Sequence, residues 1–145
     1  MKANKGFTLI ELLAVIVILA VIALIATPMI LGVVESAKKG AAESSVLGFV
    51  DAVEKQIMIS EVEGTTIADG TYTVTEGTAS MTSTATGATA IKIDVKGQVP
   101  GATAMKIEDG SVATTTFTLG KYSVKYDKAT GKATATTGTT NNSGN

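Results

Sequence analysis

The 145-residue sequence contains no cysteine and no histidine, and all twelve of its basic side chains are lysines. Thiol catalysis, disulfide stapling, imidazole general-base chemistry and the usual zinc ligand sets are thereby excluded. The missing cysteine does not argue for an intracellular location, because the membrane pattern described below is the stronger evidence on topology. Excess positive charge is also lacking. Twelve lysines face thirteen acids, a formal net charge of −1. If Met1–Gly6 is removed, Lys2 and Lys5 go with it, leaving ten lysines against thirteen acids and a formal −3. A general nucleic-acid binder needs a strongly basic footprint. Residues 65–145 carry seven lysines against six acids and supply little attraction for phosphate, so no specific nucleic-acid partner is expected. Lys121 and Lys125, with Lys128 and Lys132 nearby, read as a solvated outer face. Glu108-Asp109 and Asp94 are the acidic features that bear on metal binding or catalysis, and adjacent carboxylates at a turn read as a solvated hairpin tip. A calcium site needs about six to eight oxygen ligands, and no loop here has that spacing. With no glycine-rich phosphate loop either, no cofactor, metal or catalytic constellation is expected, and the chain is read as a non-enzyme.

Apolar residues, by contrast, are concentrated at one end. From Leu12 to Ala26 every residue is apolar, and with Phe7–Ile10 and Met29–Val34 the tract spans about 42 Å as a helix at about 1.5 Å per residue. That length crosses a bilayer. A short leader carrying Lys2 and Lys5 precedes the tract. The lysine bias keeps the leader cytoplasmic and sends the C-terminus outward. A secretory signal peptide would place a small-residue cleavage site after its apolar segment, but here the apolar run resumes at Met29.

Beyond Val34 the pattern becomes amphipathic. Val46, Val50, Val53 and Ile57 recur at helical steps, while Glu43, Asp51, Glu54 and Lys55 take other positions. One helix is therefore predicted from Phe7 to about Ser60, its distal half laying an apolar stripe on a sheet. Gly32, Gly40 and Gly48 each weaken it by up to about 1 kcal/mol relative to alanine. Pro28 lacks a backbone donor and conflicts with the carbonyl of Leu24. Two readings of Pro28 stay open: a simple kink at the membrane exit, or a weak point where the helix can stretch.

Glu61–Gly70 holds turn-formers and charges and should leave the helix. Alternating segments follow: Tyr72 and Val74; Ile91, Ile93 and Val95; Phe117 and Leu119; Tyr122, Val124 and Tyr126. Period two with a polar outer face predicts half-buried antiparallel strands. Asp109-Gly110, Gly120-Lys121 and Thr130-Gly131 are the expected hairpin turns. The expected fold is α+β, a long N-terminal helix packed on an antiparallel β-sheet headpiece. Its divisions are a leader at 1–6, a transmembrane segment at 7–34, an amphipathic helix half at 35–60, a headpiece at 61–138 and a disordered tail at 139–145.

Lys5-Gly6-Phe7-Thr8-Leu9-Ile10-Glu11-Leu12-Leu13, followed by the long aliphatic tract and Pro28, resembles the class III leader and N-terminal motif of type IV pilins and of the pseudopilins of secretion and competence systems. The resemblance covers roughly residues 1–35. Two departures stand out: there is no C-terminal cysteine pair, and no glycine lies between Leu12 and Thr27, where many relatives carry one. The cysteine-free headpiece looks more like that of pilins from Gram-positive bacteria. The resemblance implies cleavage between Gly6 and Phe7 by a prepilin peptidase and N-methylation of Phe7. It further implies an assembly platform, minor pilins and many copies of the chain itself as partners, with membrane lipid around the subunit before assembly. The implied product is an extracellular type IV pilus filament serving adhesion or surface motility. A pseudopilin of a type II secretion or competence (DNA-uptake) system is the alternative, and a single-pass protein with an enzymatic or metal-binding outer domain is a third reading.

Two roles for Glu11 follow from its position. An ionised acid among aliphatic residues costs about 2.5–3.5 kcal/mol at the centre of a membrane helix. Thr8-x-x-Glu11 matches a capping box, which would satisfy the carboxylate locally at the positive helix end. In a bundle of many copies, the same carboxylate would neutralise the Phe7 ammonium of a neighbour and so select one axial offset. The two roles can operate at different stages.

Overall fold

In a computed structural model the chain is described over residues 6–84 and 90–138, apart from the side chain of Thr103. The expected leader residues 1–5 and the expected tail at 139–145 lie outside the described residues. The chain divides into two units, Met1–Ala37 and Lys38–Asn145. Helix α1 runs from Leu9 to Val62, with Pro28 inside it.

In the first unit the helix is apolar on every side. Leu9, Leu24, Met29 and Val33 are 84%, 78%, 77% and 66% exposed, and no side chain between Phe7 and Val34 is buried. The segment is long and apolar enough to cross a membrane. An all-round apolar helix has no polar face to give to water, a pattern consistent with a membrane span or a protein interior.

The second unit contains the packed core. Along α1, Ala42, Val46, Phe49, Val50, Val53, Ile57 and Ser60 are buried, as the helical spacing of the four aliphatic residues predicts. Phe49 meets Phe117 edge to face, with ring centroids 6.0 Å apart and planes at 72°, a favoured arrangement for two aromatic quadrupoles. The helix stops at a Schellman motif: the Thr65 amide donates to the Ser60 carbonyl at 2.8 Å and the Gly64 amide to Glu61 at 3.2 Å. Gly64 supplies the left-handed turn with φ 76°, a conformation that costs little only without a Cβ. The exit thus falls two residues beyond the expected Ser60.

Two antiparallel sheets receive the helix, where a single sheet was expected. The first comprises β1 (Gly70–Val74), β2 (Ser80–Ser83), β3 (Ala90–Lys92), β4 (Ala102–Glu108) and β5 (Ser111–Val112), in the order β3-β2-β1-β4-β5. The second comprises β6 (Thr115–Leu119), β7 (Tyr122–Asp127) and β8 (Lys132–Thr137), in sequence order. A bridge between Gly101 and Thr118 joins the sheets, each amide donating to the other's carbonyl at 2.8 Å. Met81, Ile93, Met105, Ile107, Val112, Phe117 and Val124 are at most 1% exposed and share the core with the helix stripe.

The hairpin expectations hold in detail. Asp109-Gly110 links β4 to β5 with φ 53° and 67° at the two turn residues, the pattern of a primed turn. Gly120-Lys121 joins β6 to β7, and residues 128–131 join β7 to β8. One strand is shorter than expected. The alternation of Ile91, Ile93 and Val95 predicts a strand through Lys96, but pairing stops at Lys92, opposite Ser80. Just before Ser80 the chain turns, with the Thr78 amide donating to Thr75, so the partner strand runs out one residue further on. Ile93 still buries its side chain and donates its amide to Ala79 at 2.9 Å.

Candidate functional site

The beginning of α1 gathers the residues singled out in the sequence. Helix N-termini leave four amides without intrahelical partners, and Thr8 with Glu11 satisfies two of them reciprocally. The Thr8 amide and the Thr8 hydroxyl both donate to Glu11 Oε2, each at 2.7 Å, and the Glu11 amide donates to Thr8 Oγ1 at 3.3 Å. The Leu12 amide donates to the Thr8 carbonyl at 3.3 Å, closing the first turn. This is a capping box in full. It places a carboxylate where the helix dipole favours negative charge.

Gly6 and Phe7 lie just ahead of that turn. Both are exposed, Phe7 at 90%. Among the described residues, a Cβ added at Gly6 meets nothing within 4 Å. Pro28 lies about five turns along the helix, well apart from this cluster. Beside it the Thr27 hydroxyl donates to the Ala23 carbonyl at 2.7 Å. Such back-bonding commonly accompanies a bend. The Pro28 ring removes the amide that the Leu24 carbonyl would otherwise accept.

The acids considered for metal or catalytic chemistry are spread over the headpiece surface. Glu108 pairs with Lys106 at 3.5 Å, both exposed. The Asp109 amide donates to Asp69 Oδ2 at 3.1 Å. Among the described residues, no three potential ligands from His, Cys, Asp and Glu gather closely enough to hold an ion. Two of the lysines are tied into the headpiece as well: Lys128 Nζ donates to the Glu108 carbonyl at 3.1 Å, and Lys121 Nζ lies 5.2 Å above the Tyr122 ring.

Two carboxylates that sequence reasoning placed only as polar positions have a structural job. Glu43 Oε1 accepts the Ala135 amide at 2.8 Å, and Glu54 Oε1 accepts the Val112 amide at 3.1 Å. Ala135 lies in β8 and Val112 in β5, the terminal strands of the two sheets. Each glutamate thereby covers part of a sheet edge that would otherwise present unpaired amides. Residues eleven apart return to nearly the same helix face after about three turns, so the spacing puts the two glutamates on one face but does not identify their strand partners.

Burial raises the Tyr126 hydroxyl above its ordinary pKa, helped by the negative charges of Glu54, Asp51 and Asp127. Tyr72 is raised in the same way by burial and by Asp69, while its hydroxyl donates to the Ala68 carbonyl at 2.7 Å.

The family model described as a prokaryotic N-terminal methylation motif matches residues 1–27. That span takes in Gly6, Phe7, the Thr8–Glu11 capping box and most of the exposed apolar tract. No solved structure matches the chain. The motif supports a type IV pilin-like leader, and with it a pilin- or pseudopilin-like substrate of a prepilin peptidase. An apolar N-terminal helix behind such a leader is consistent with membrane anchoring before assembly.

Proposed function

We propose that the chain is a structural pilin, cleaved between Gly6 and Phe7, methylated on the Phe7 amine, and polymerised into a type IV pilus filament of the cysteine-free, Gram-positive-like kind. One observation carries the reading. A helix apolar on all faces begins with a carboxylate at its first turn, directly after the methylation motif's glycine and phenylalanine. Lipid satisfies the aliphatic residues of a single subunit. In a bundle of subunits, the same residues pack against one another.

Association among aliphatic helices has little intrinsic register. Glu11 supplies one, because a buried charge strongly disfavours every arrangement that leaves it unpaired, and the Phe7 ammonium of a neighbour is the complementary group that cleavage creates. A head-to-tail contact whose rotation does not close then propagates as an open helical polymer. The chain itself performs no catalysis in this reading. Its partners are the prepilin peptidase, an assembly platform with minor pilins, and further copies of itself. The headpiece lies outside the cell, and adhesion or surface motility belongs to the polymer.

The test is electron microscopy of sheared surface material, with the mass of its main component, from cells expressing the native chain or Glu11→Val. The native chain should give long fibres built of a subunit that begins at Phe7. Glu11→Val should be inserted and shortened normally yet yield few fibres. Long fibres persisting on cells that lack this chain would refute the major-subunit role and favour a pseudopilin. Undiminished fibre yield from Glu11→Val would refute the paired-charge mechanism.

A further inference from the structure

Within residues 38–138, the large hydrophobic side chains that remain exposed among those described are Met58, Ile59 and Val62, at 59%, 38% and 89%. All three project from the last turns of α1, with Lys55 and Glu63 beside them. Exposed apolar side chains scattered singly need no explanation, but a contiguous group marks a contact surface. At the other end of the same helix half lies a depression of about 290 Å³, lined chiefly by apolar groups. Ala41, Ala42, Leu119 and Tyr122 supply its apolar wall, and Lys38, Lys121 and Glu76 its charges. Glu76 is held in place there, its Oε1 accepting the Gly120 amide at 2.7 Å.

We propose that these two surfaces are complementary halves of one headpiece-to-headpiece contact: Met58, Ile59 and Val62 of one subunit seat in the Ala41–Leu119–Tyr122 depression of a second copy. The inference rests on the polymer reading above and extends it from the helical core to the outer domain. The charges select the occupant. The apolar group carries one lysine and one glutamate, Lys55 and Glu63, and the depression carries Glu76 and Lys38 of opposite sign, with Lys121 as a second cation beside Lys38 to face Glu63. Two opposite-sign pairs can therefore form around one apolar contact, which favours a correctly oriented copy of this chain over a flat apolar surface such as lipid. The two surfaces lie at different places on the molecule, so the contact is heterologous and leaves a free group and a free depression at its ends. That is the condition for open polymerisation. Ala41 and Val62 are twenty-one residues apart on one helix, so each such contact displaces the next headpiece by about 30 Å along it.

The test uses the full chain in cells that process it, and the natural absence of cysteine makes thiol cross-linking clean. Ala41 and Val62 are both exposed, so Ala41→Cys and Val62→Cys leave the core untouched. Sheared fibres of the double variant, treated with a short bismaleimide, should give a ladder of covalent multimers. Mixed fibres of the two single variants should give dimers, and each single variant alone should give monomers. Val62→Asp should lower fibre yield by on the order of tenfold at unchanged membrane levels of processed subunit. Glu63→Lys should weaken assembly, and added Lys38→Glu should restore it. Fibres that form normally with no ladder would overturn the contact while leaving the pilin reading intact. A dimer from Val62→Cys alone would overturn it in favour of a symmetric contact. If the native chain forms no polymer at all, both readings fall together.

Discussion

Removing the Glu43 carboxylate should loosen β8 from the helix by an amount that the geometry sets. In Glu43→Ala, the Ala135 amide loses an acceptor at 2.8 Å in a setting where Ala135 is 9% exposed. A hydrogen bond to a charged group contributes about 1.5–3 kcal/mol, and an amide left unsatisfied costs about 1–3 kcal/mol. Glu43 itself is only half-buried, so water replaces part of the bond, and the net loss falls near 1–2 kcal/mol. Alanine returns a few tenths of a kcal/mol through its helix propensity. For a unit of this size, 1 kcal/mol moves the melting temperature by about 4–8 °C. Glu43→Ala should therefore melt roughly 5–10 °C below the native chain in detergent.

Glu43→Gln separates the causes. Its side-chain carbonyl can still accept the amide, so it should lose less than half as much if the bond matters more than the charge. Hydrogen exchange gives the local readout: the peptide spanning 132–137 should exchange faster in Glu43→Ala, while the peptide holding Val112 stays protected. Glu54→Ala should reverse that pattern. The two losses should add, since about 16 Å of helix separates the residues and they share no partner. Unchanged melting in both alanine variants, with unchanged exchange at 132–137, would refute the clamp.

Other expectations follow from single features. Gly64→Ala places a Cβ at φ 76° in open space, so strain alone should destabilise the headpiece by about 1 kcal/mol, read as an earlier denaturant midpoint with an unchanged slope. Gly6→Leu should block leader removal without affecting insertion, visible as a chain of unshortened mass; normal shortening would contradict the need for an open backbone there. Tyr72 and Tyr126 ionise later in the folded chain than in the unfolded one, principally because they are buried. The sign follows: their contribution is fully present below the ordinary tyrosine pKa of about 10 and is lost as pH rises through the raised folded values. Melting should thus fall steeply above about pH 10, and Tyr126→Phe should flatten that fall.

The features legible in the sequence were those written in repeated local spacing. The anchor needed only a run of aliphatic residues, and the helix stripe needed Val46, Val50, Val53 and Ile57 in register. β7 was legible because Tyr122, Val124 and Tyr126 alternate without a break. β2 was hidden because Met81 is its single large apolar residue, and one residue has no period. In β4 the alternation itself is broken. A register shift against β1 places buried Ala102 and Met105 three residues apart, so the period-two pattern starts only at Met105. β8 does alternate, through Ala133 and Ala135, but alanine is a weak strand former. The Thr8–Glu11 capping box was legible because its partners are three residues apart. The Glu43 and Glu54 clamps were not, because their partners lie 92 and 58 residues away.

That contrast bears on what Glu11 does. An acid forced into hydrocarbon without a partner would oppose insertion, and the subunit would be selected against before it could assemble. Here the acid is the third residue of the helix, and Oε2 already holds two hydrogen bonds from Thr8. The single subunit is therefore satisfied locally, and the cost of about 2.5–3.5 kcal/mol for an ion at the bilayer centre does not apply at the helix end. What the capping box leaves is a negative charge at a fixed place on an otherwise featureless apolar rod. Aliphatic contact can hold two such rods together at many offsets of nearly equal energy. In the proposed polymer a charge that must meet a neighbour's ammonium would remove all of those offsets but one, so affinity and register would come from different residues and could be abolished separately.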